Sequence, residues 1–260
     1  PLARVVALVG ATMVHLRRWS GVPTVPAFGT QPVIPSAKPQ GRLPTLKMPT
    51  ARGWREGERP VAAPGLAVQA FATGLQHPRW IEVMDDGSVL VAEALQPHGK
   101  PYNLFDMAIQ ATMKRARAVG ESANRITRLA DPDGDGVAEH RDVFLDGLNQ
   151  PFGMARVGET FYVGNTDGVM AYALPAGAER PSGPARRITT FKPRGHWTRS
   201  LIVSPDGKKL YCGVGSLSNI GDHGMEAEEG RAAVYEIDLE KLAGGAAGAG
   251  RIFARGLRNP

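Results

Sequence analysis

Short apolar runs separated by turn residues dominate the chain from residue 65 onward. Residues 80–84 and 88–92 are two such runs, rich in β-branched and aromatic side chains, on either side of Asp85-Asp86-Gly87. A glycine-containing turn between two runs of this kind is typical of a β-hairpin. The same reasoning predicts hairpins at residues 153–163 and 200–213. Further strands are predicted at residues 169–172, 187–191 and 233–237.

One segment, residues 103–119, departs from the β pattern. It is rich in good helix formers, and Leu104, Met107 and Ala111 stand near helical spacing. Such spacing indicates one apolar face of a helix. The segment is therefore predicted to be a helical insertion between strands.

An octapeptide, F-x-x-G-L-x-x-P, recurs along the chain. It stands at residues 71–78, 144–151 and 253–260, with a degenerate copy at 191–199. Sheet-forming units repeated at intervals of roughly 40–50 residues are typical of a β-propeller, in which four-stranded blades surround an axis. The copies start 73, 47 and 62 residues apart; the two larger intervals exceed one bare blade, and the first contains the helical insertion. The sequence predicts an all-β propeller over residues 65–260, present as an N-terminal fragment of about three to four blades. We expect it to continue beyond residue 260.

The residues after each Gly-Leu pair are polar. In a propeller this segment leads into the innermost strand of the next blade, so its side chains converge near the axis. Convergent polar groups in a concave site are typical of a ligand pocket. The alternative is that some of them only satisfy backbone groups at strand ends. These residues are Gln76, His77, Asn149, Gln150, His196, Arg258 and Asn259.

The N-terminal part of the chain differs from the rest. Residues 1–20 contain an apolar stretch, 5–14, followed by Arg17 and Arg18. This pattern predicts a truncated signal or anchor segment, and hence export to the periplasm with a tether to the membrane; a short buried helix is the alternative. Residues 21–64 are proline-rich and lack hydrophobic periodicity, which is typical of a linker or a wrapping arm.

The formal net charge of +6 belongs almost entirely to this N-terminal part. Residues 1–60 carry +7, and residues 61–260 carry −1. A nucleic-acid-binding domain should carry its positive charge on the folded body. The distribution therefore argues against a nucleic-acid partner. The single cysteine, Cys212, excludes an internal disulfide.

Residues 131–142 space carboxylates in the manner of a calcium-binding loop. Calcium prefers several oxygen ligands around a sharp turn that contains glycine, here Gly136. A solvated acidic hairpin turn is the alternative. The candidate ligands are Asp131, Asp133, Asp135, Glu139 and Asp142.

Several motifs, in this order, resemble those of the glucose/sorbosone dehydrogenase family, and most closely its bacterial sorbosone dehydrogenase-like branch. The resemblance implies a six-bladed propeller that uses pyrroloquinoline quinone (PQQ), with calcium as a further expected cofactor. The motifs are GLQHPRW at 74–80, SANRI at 122–126, DPDGDG at 131–136, PFGM at 151–154, GHWTR at 195–199, SPDG at 204–207 and GLRNP at 256–260.

The resemblance also implies roles for individual residues. His196 matches the family's catalytic base, and Arg258 and Asn259 match an Arg-Asn pair that contacts PQQ. Gln150 and Arg199 are assigned to the same cofactor site. An imidazole suits proton abstraction from an alcohol, and guanidinium and amide groups suit the carboxylates and oxygens of PQQ.

These roles imply a dehydrogenase that oxidises a sugar or a related alcohol or aldehyde. Proton abstraction would be followed by hydride transfer to PQQ. One alternative is a non-catalytic propeller that serves as a binding module. A second is a metal-dependent lactonase, which ranks lower because the polar positions after the Gly-Leu pairs include no carboxylate.

Overall fold

The computed structural model describes residues 51–96, 104–219, 221, 223–243 and 250–260. The predictions for residues 1–20 and for most of the proline-rich stretch lie outside these residues. No helix in the described ranges has the length and apolar character needed to cross a membrane.

The described part contains three antiparallel sheets of four strands each. In every sheet the strands pair in sequence order, as a meander. We call the sheets the first, second and third blade. Their strands are β1 (Pro78–Val83), β2 (Val89–Glu93), β3 (Arg125–Ala130) and β4 (His140–Leu145); β5 (Met154–Val157), β6 (Thr160–Asn165), β7 (Gly168–Ala173) and β8 (Ser182–Arg187); and β9 (Leu201–Val203), β10 (Lys209–Val214), β11 (Ala233–Asp238) and β12 (Arg251–Arg255).

The turns close these hairpins as their residues require. Between β1 and β2, Gly87 has a φ of 79°, a left-handed conformation that favours glycine. The Asp86 carboxylate accepts hydrogen bonds from the amide of Ser88 at 3.0 Å and from its hydroxyl at 2.6 Å. This local bonding sets the register in which β1 pairs with β2.

Helical segments lie between some of the strands in the sequence. The predicted helical insertion is confirmed as α1 (Leu104–Arg115), whose last turn carries Lys114 and Arg115, where positive charge complements the helix dipole. This helix belongs to a separate compact unit from the three blades. In the third blade, a 3-10 turn (Met225–Glu228) lies between β10 and β11, and α2 (Leu239–Ala243) follows β11.

The blades stack face to face, so the second blade is buried on both sides. Phe161 and Val163 of β6 pack in one cluster with Leu90 and Ile126 of the first blade. Tyr162, between them in β6, packs in a second cluster that reaches the third blade. Successive side chains of a strand point to opposite faces, which explains the division. Burying each large apolar side chain contributes about 1.5–3 kcal/mol.

The first strands of the blades are neighbours: β5 contacts both β1 and β9. Trp80, Phe152 and Trp197 form a row at the start of these strands, with ring centroids 5.2 and 6.3 Å apart. The amide of Gly153 donates to the carbonyl of Arg199 at 2.9 Å. The all-β propeller prediction is confirmed, and the inner strands converge as radial blades require.

One predicted strand is wrong. The pattern favoured a strand at residues 187–191, whereas β8 runs from Ser182 to Arg187. Ile188 and Phe191 are buried in the cluster between the second and third blades. These apolar residues are therefore explained by burial in the connection that follows β8, not by a strand.

A buried carboxylate ties the first blade together. Glu93 has no solvent exposure and accepts hydrogen bonds from Arg125 Nε at 2.9 Å, from the Thr127 hydroxyl and from the amide of Gln76. Burial raises the pKa of Glu93, but these hydrogen bonds outweigh it and hold the pKa below its ordinary value. The ionised carboxylate thus fixes the loop before β1 to β2 and β3.

We expect Glu93→Gln to lower the free energy of unfolding by about 2 kcal/mol at pH 7, because hydrogen bonds to a charged group contribute roughly 1.5–3 kcal/mol. A lowered folded-state pKa stabilises the fold above the ordinary value of 4.5. That stabilisation is lost as the pH falls through the folded-state pKa. Urea unfolding should therefore show a difference from wild type that shrinks below about pH 4.5. Glu121→Gln, at an exposed position, is the control; an equal loss in both variants would contradict this role.

Candidate functional site

A cavity of about 440 Å³ contains two of the predicted site residues, His196 and Asn259. In the sequence, His196 comes just before the first strand of the third blade, β9, and Asn259 comes just after its last strand, β12. We call this space the histidine cavity. No carboxylate stands among its described lining residues, which are Gln96, Gly195, His196, Trp197, Thr198, Leu217, Ser218, Asn219 and Asn259.

The ring of His196 is held in one orientation by Ser216. Nδ1 lies 3.0 Å from the Ser216 carbonyl oxygen and 3.1 Å from its hydroxyl oxygen. The Ser216 hydroxyl donates its hydrogen to the carbonyl of Ser218 at 2.6 Å, so it faces Nδ1 as an acceptor. Because both groups at Nδ1 accept, neutral His196 carries its proton on Nδ1. Nε2 is left unprotonated and is able to accept a proton.

Two glycines allow the backbone to approach this histidine. Gly195 has a φ of 71°, and a Cβ there would lie 2.5 Å from the carbonyl oxygens of Ser216 and Leu217. A Cβ on Gly215 would collide with His196 and would lie 2.6 Å from Asn259 Oδ1. Any larger residue at either position would push apart the segments that form the cavity.

Arg258 lies at the border of the histidine cavity rather than among its lining residues. Its side chain is exposed and donates to Asn219, to the carbonyl oxygen at 3.2 Å and to the amide oxygen. It lines a neighbouring cavity of about 1000 Å³, and the two cavities share Ser218 and Asn219. The predicted pair Arg258 and Asn259 is thus divided between adjacent spaces.

The structure does not bring Arg199 or Gln150 into the histidine cavity. Arg199 is fully buried and donates to the carbonyls of His196 and Thr198 at 2.8 and 2.9 Å. Burial lowers the pKa of Arg199 to about 10. Gln150 is buried with a φ of 51°, and its backbone N–H donates to Asn124 Oδ1 at 3.2 Å. These positions support structural roles and lend no support to the predicted cofactor contacts.

Sequence reasoning missed several groups at the site. Gln96 comes from the first blade, after β2, and Trp197 lies under the guanidinium of Arg79 at 5.4 Å. Burial lowers the pKa of Arg79. Ser216, which orients His196, follows β10 and belongs to no motif. Only the position of Trp197 next to His196 in the GHWTR motif could have signalled its role.

The acidic loop brings four of its five candidate ligands together. Carboxylate oxygens of Asp131, Asp133, Asp135 and Glu139 lie within 4.8 Å of one another. Asp142 is not in this group; it lies in β4, opposite Arg128 of β3. The turn also uses the carboxylates itself, because Asp131 accepts from the amides of residues 134 and 136 at 2.8 Å. Both a calcium site and an acidic turn remain consistent with these contacts.

Comparison with known proteins gives one family and one fold. The TrAA12-like family model matches residues 60–260. A calcium structure of a Carbohydrate-Active Enzymes Family AA12 protein from Trichoderma reesei is similar, with a TM-score of 0.59 and 22% identity over 77% of this chain. The PQQ domain of pyranose dehydrogenase from Coprinopsis cinerea, in its holo form, is similar with a TM-score of 0.54 and 19% identity over 73% of this chain. No curated protein matches significantly.

The likeness to these solved structures concerns the fold, and it covers part of each. The matched region spans 45% of the Trichoderma chain and 41% of the Coprinopsis chain.

We expect the acidic loop to bind calcium with a Kd of about 10⁻⁴–10⁻³ M, the range of the weakest protein calcium sites. Glu139→Gln removes one ligand without touching the turn bonds of Asp131, so it should raise the Kd at least about 10-fold. Isothermal titration checks this, with Asp146→Asn as an exposed control outside the loop. Absence of heat with the wild-type chain would favour the acidic turn instead.

Proposed function

Because this chain belongs to the TrAA12-like family, we propose that it provides the catalytic base and part of the cofactor site of a PQQ-dependent dehydrogenase. The substrate is a sugar or a related alcohol or aldehyde. Family membership confirms the relationship to quinoprotein oxidoreductases that the motifs indicated. Export to the periplasm, expected from residues 1–20, is part of the proposal.

One observation carries the proposal: His196 lines a polar cavity with Nδ1 facing two acceptor oxygens, so its neutral form leaves Nε2 without a proton. The carbonyl and hydroxyl of Ser216 hold the proton on Nδ1. A base of this kind takes the proton of a substrate hydroxyl as the carbinol carbon gives up a hydride. A non-catalytic binding module has no requirement for a defined histidine tautomer. A metal-dependent lactonase would require carboxylates, and the described lining of the histidine cavity has none.

The residues present fit PQQ, which is a tricarboxylate. The histidine cavity of about 440 Å³ falls within the roughly 300–1,000 Å³ usual for small-molecule sites. Arg258 stands beside it, exposed, and forms no ion pair with a carboxylate in the described part of the chain. Asn259 and Gln96 supply amide groups in the lining. When bound, PQQ supplies the quinone that accepts the hydride.

The chain's own residues then have distinct tasks. Arg258 would pair with a carboxylate of the cofactor through its planar fork, and Asn259 would donate an amide hydrogen bond. His196 would hold the substrate hydroxyl and accept its proton at Nε2. Trp197 and Leu217, in the lining, would exclude water from one side of the reacting groups.

We expect His196→Gln to lower kcat by about 10²–10⁴-fold, the usual contribution of a general base. Dye reduction with PQQ and a panel of sugars measures this in protein expressed from the native gene. His140→Gln, which removes an exposed histidine from β4, should behave as wild type. Wild-type turnover by the His196 variant would refute the assignment of the base.

We expect Arg258→Met to weaken PQQ binding about 10-fold or more, since it removes a charge-assisted pair worth roughly 1.5–3 kcal/mol. Arg258→Lys should lie between this variant and wild type, because lysine keeps the charge without the fork. Quenching of tryptophan fluorescence gives the Kd, as Trp197 lines the cavity. Arg186→Met removes an exposed guanidinium from β8, outside the lining of both cavities, and is the matched control. Equal affinities in the two methionine variants would count against this role of Arg258.

A further inference from the structure

Two short segments meet at His196, and their contact defines its orientation. We call residues 192–198 the histidine segment and residues 216–218 the serine segment. The carbonyl of Ser216 accepts two hydrogen bonds from His196, one from the backbone amide at 2.9 Å and one from Nδ1 at 3.0 Å. Any shift between the segments therefore alters the hydrogen bond that sets the histidine tautomer.

A buried carboxylate holds the serine segment. Glu228 is 9% exposed, and its two oxygens accept from the amide of Leu217 at 2.6 Å and from the amide of Ser218 at 3.1 Å. Burial raises the pKa of Glu228, but the two amides and the charge of Arg231 outweigh it, and the pKa lies below its ordinary value. The ionised form is thus the one that binds both amides.

Two buried guanidinium groups hold the histidine segment through its carbonyls. Arg231 is 5% exposed and donates to the carbonyls of Lys192, at 2.6 Å, and Arg194. Arg199 donates to the carbonyls of His196 and Thr198, and to that of Lys192 at 3.3 Å. A guanidinium suits this task because its five N–H groups can serve several acceptors at once.

Glu228 and Arg231 belong to one turn of the chain. The amide of Arg231 donates to the carbonyl of Glu228 at 2.8 Å, and their opposite charges attract. Buried charges of this kind are expensive, and apolar residues of similar volume often serve stability as well or better. Their cost is explained if they fix a geometry that function requires.

We propose that Glu228 and Arg231 are positioning residues for His196. Glu228 holds the acceptor side of the His196–Ser216 hydrogen bond, and Arg231 holds the segment that carries its donor. The inference rests on the proposed function of His196 as the base. It assigns to this turn, whose described hydrogen bonds go to the histidine and serine segments, control over the tautomer and aim of the base.

The first test separates catalysis from substrate binding. Glu228→Gln keeps the shape but offers only one acceptor oxygen to two amides, so we expect kcat to fall about 10-fold, with KM unchanged, as for a small misplacement of a reacting group. Arg231→Met should act in the same direction, and Arg231→Lys should recover part of the loss. Glu179→Gln, at an exposed position outside the lining of both cavities, is the control and should keep wild-type kcat.

The second test does not depend on turnover. In protein with ¹⁵N-labelled histidine, the His196 signals are assigned by their loss in His196→Gln. Wild type should show the Nδ1-protonated tautomer, and Glu228→Gln should show a mixture with the Nε2-protonated form. Should Arg231→Met fail to fold, Arg231→Lys and Glu228→Gln carry the test.

The outcomes distinguish this inference from the proposed function. Wild-type kcat together with an unchanged tautomer in Glu228→Gln and Arg231→Lys would overturn the positioning role and leave the base assignment intact. Full activity of His196→Gln would overturn the base assignment, whatever the tautomer spectra show.

Discussion

Strand β6 has to bury both of its faces, and the arrangement of the three blades depends on this requirement. Phe161 and Val163 pack toward the first blade, whereas Tyr162 packs toward the third. A strand with apolar side chains on both faces is stable only between two other layers. The stacking that satisfies β6 also brings the inner strands β1, β5 and β9 next to one another. The site is built at the ends of these strands.

Close approach of backbone to backbone shapes the site itself. The histidine and serine segments approach so closely at Gly195 that a Cβ would not fit. Most of the contacts that hold them are made to carbonyls and amides rather than between side chains. Such contacts fix the path of the chain, and hence the direction in which His196 leaves it. Within the described part of the chain the ring's hydrogen bonds are made at Nδ1, which leaves Nε2 available as a base requires.

This arrangement requires charged side chains to be buried, which is energetically unfavourable. Arg199 has no exposure, and its pKa is lowered to about 10 by burial. Three hydrogen bonds from the guanidinium to backbone carbonyls, together with the ring of Phe191 at 5.7 Å, replace much of the water that it loses. Burial disfavours the charged form of Cys212 in the same way: it raises the pKa of the thiol to about 12, so Cys212 is a neutral, packed group.

The site residues show how far sequence reasoning reaches. The Gly-Leu repeats predicted that His196 and Asn259 converge, and the structure places both in one cavity. The same argument placed Gln150 near the axis, but the structure leaves it out of the histidine cavity, with its backbone amide bonded to Asn124. Arg199, assigned to the cofactor site through the family resemblance, instead donates to buried backbone carbonyls. Glu228 and Arg231 carried no motif at all. Their role comes only from the segments that packing brings against them.

The sequence by itself determined the hairpins with apolar runs and glycine turns, the helix at Leu104–Arg115 and the F-x-x-G-L-x-x-P repeat that predicts blades. These features depend on local conformation and on short-range periodicity. Only the tertiary structure decided the outer strands β4, β8 and β12, whose exposed and mixed residues have little pattern of their own. It also decided the orientation of His196, because the group that sets its tautomer, Ser216, lies 20 residues away, where the chain continues beyond the pairing of β9 with β10.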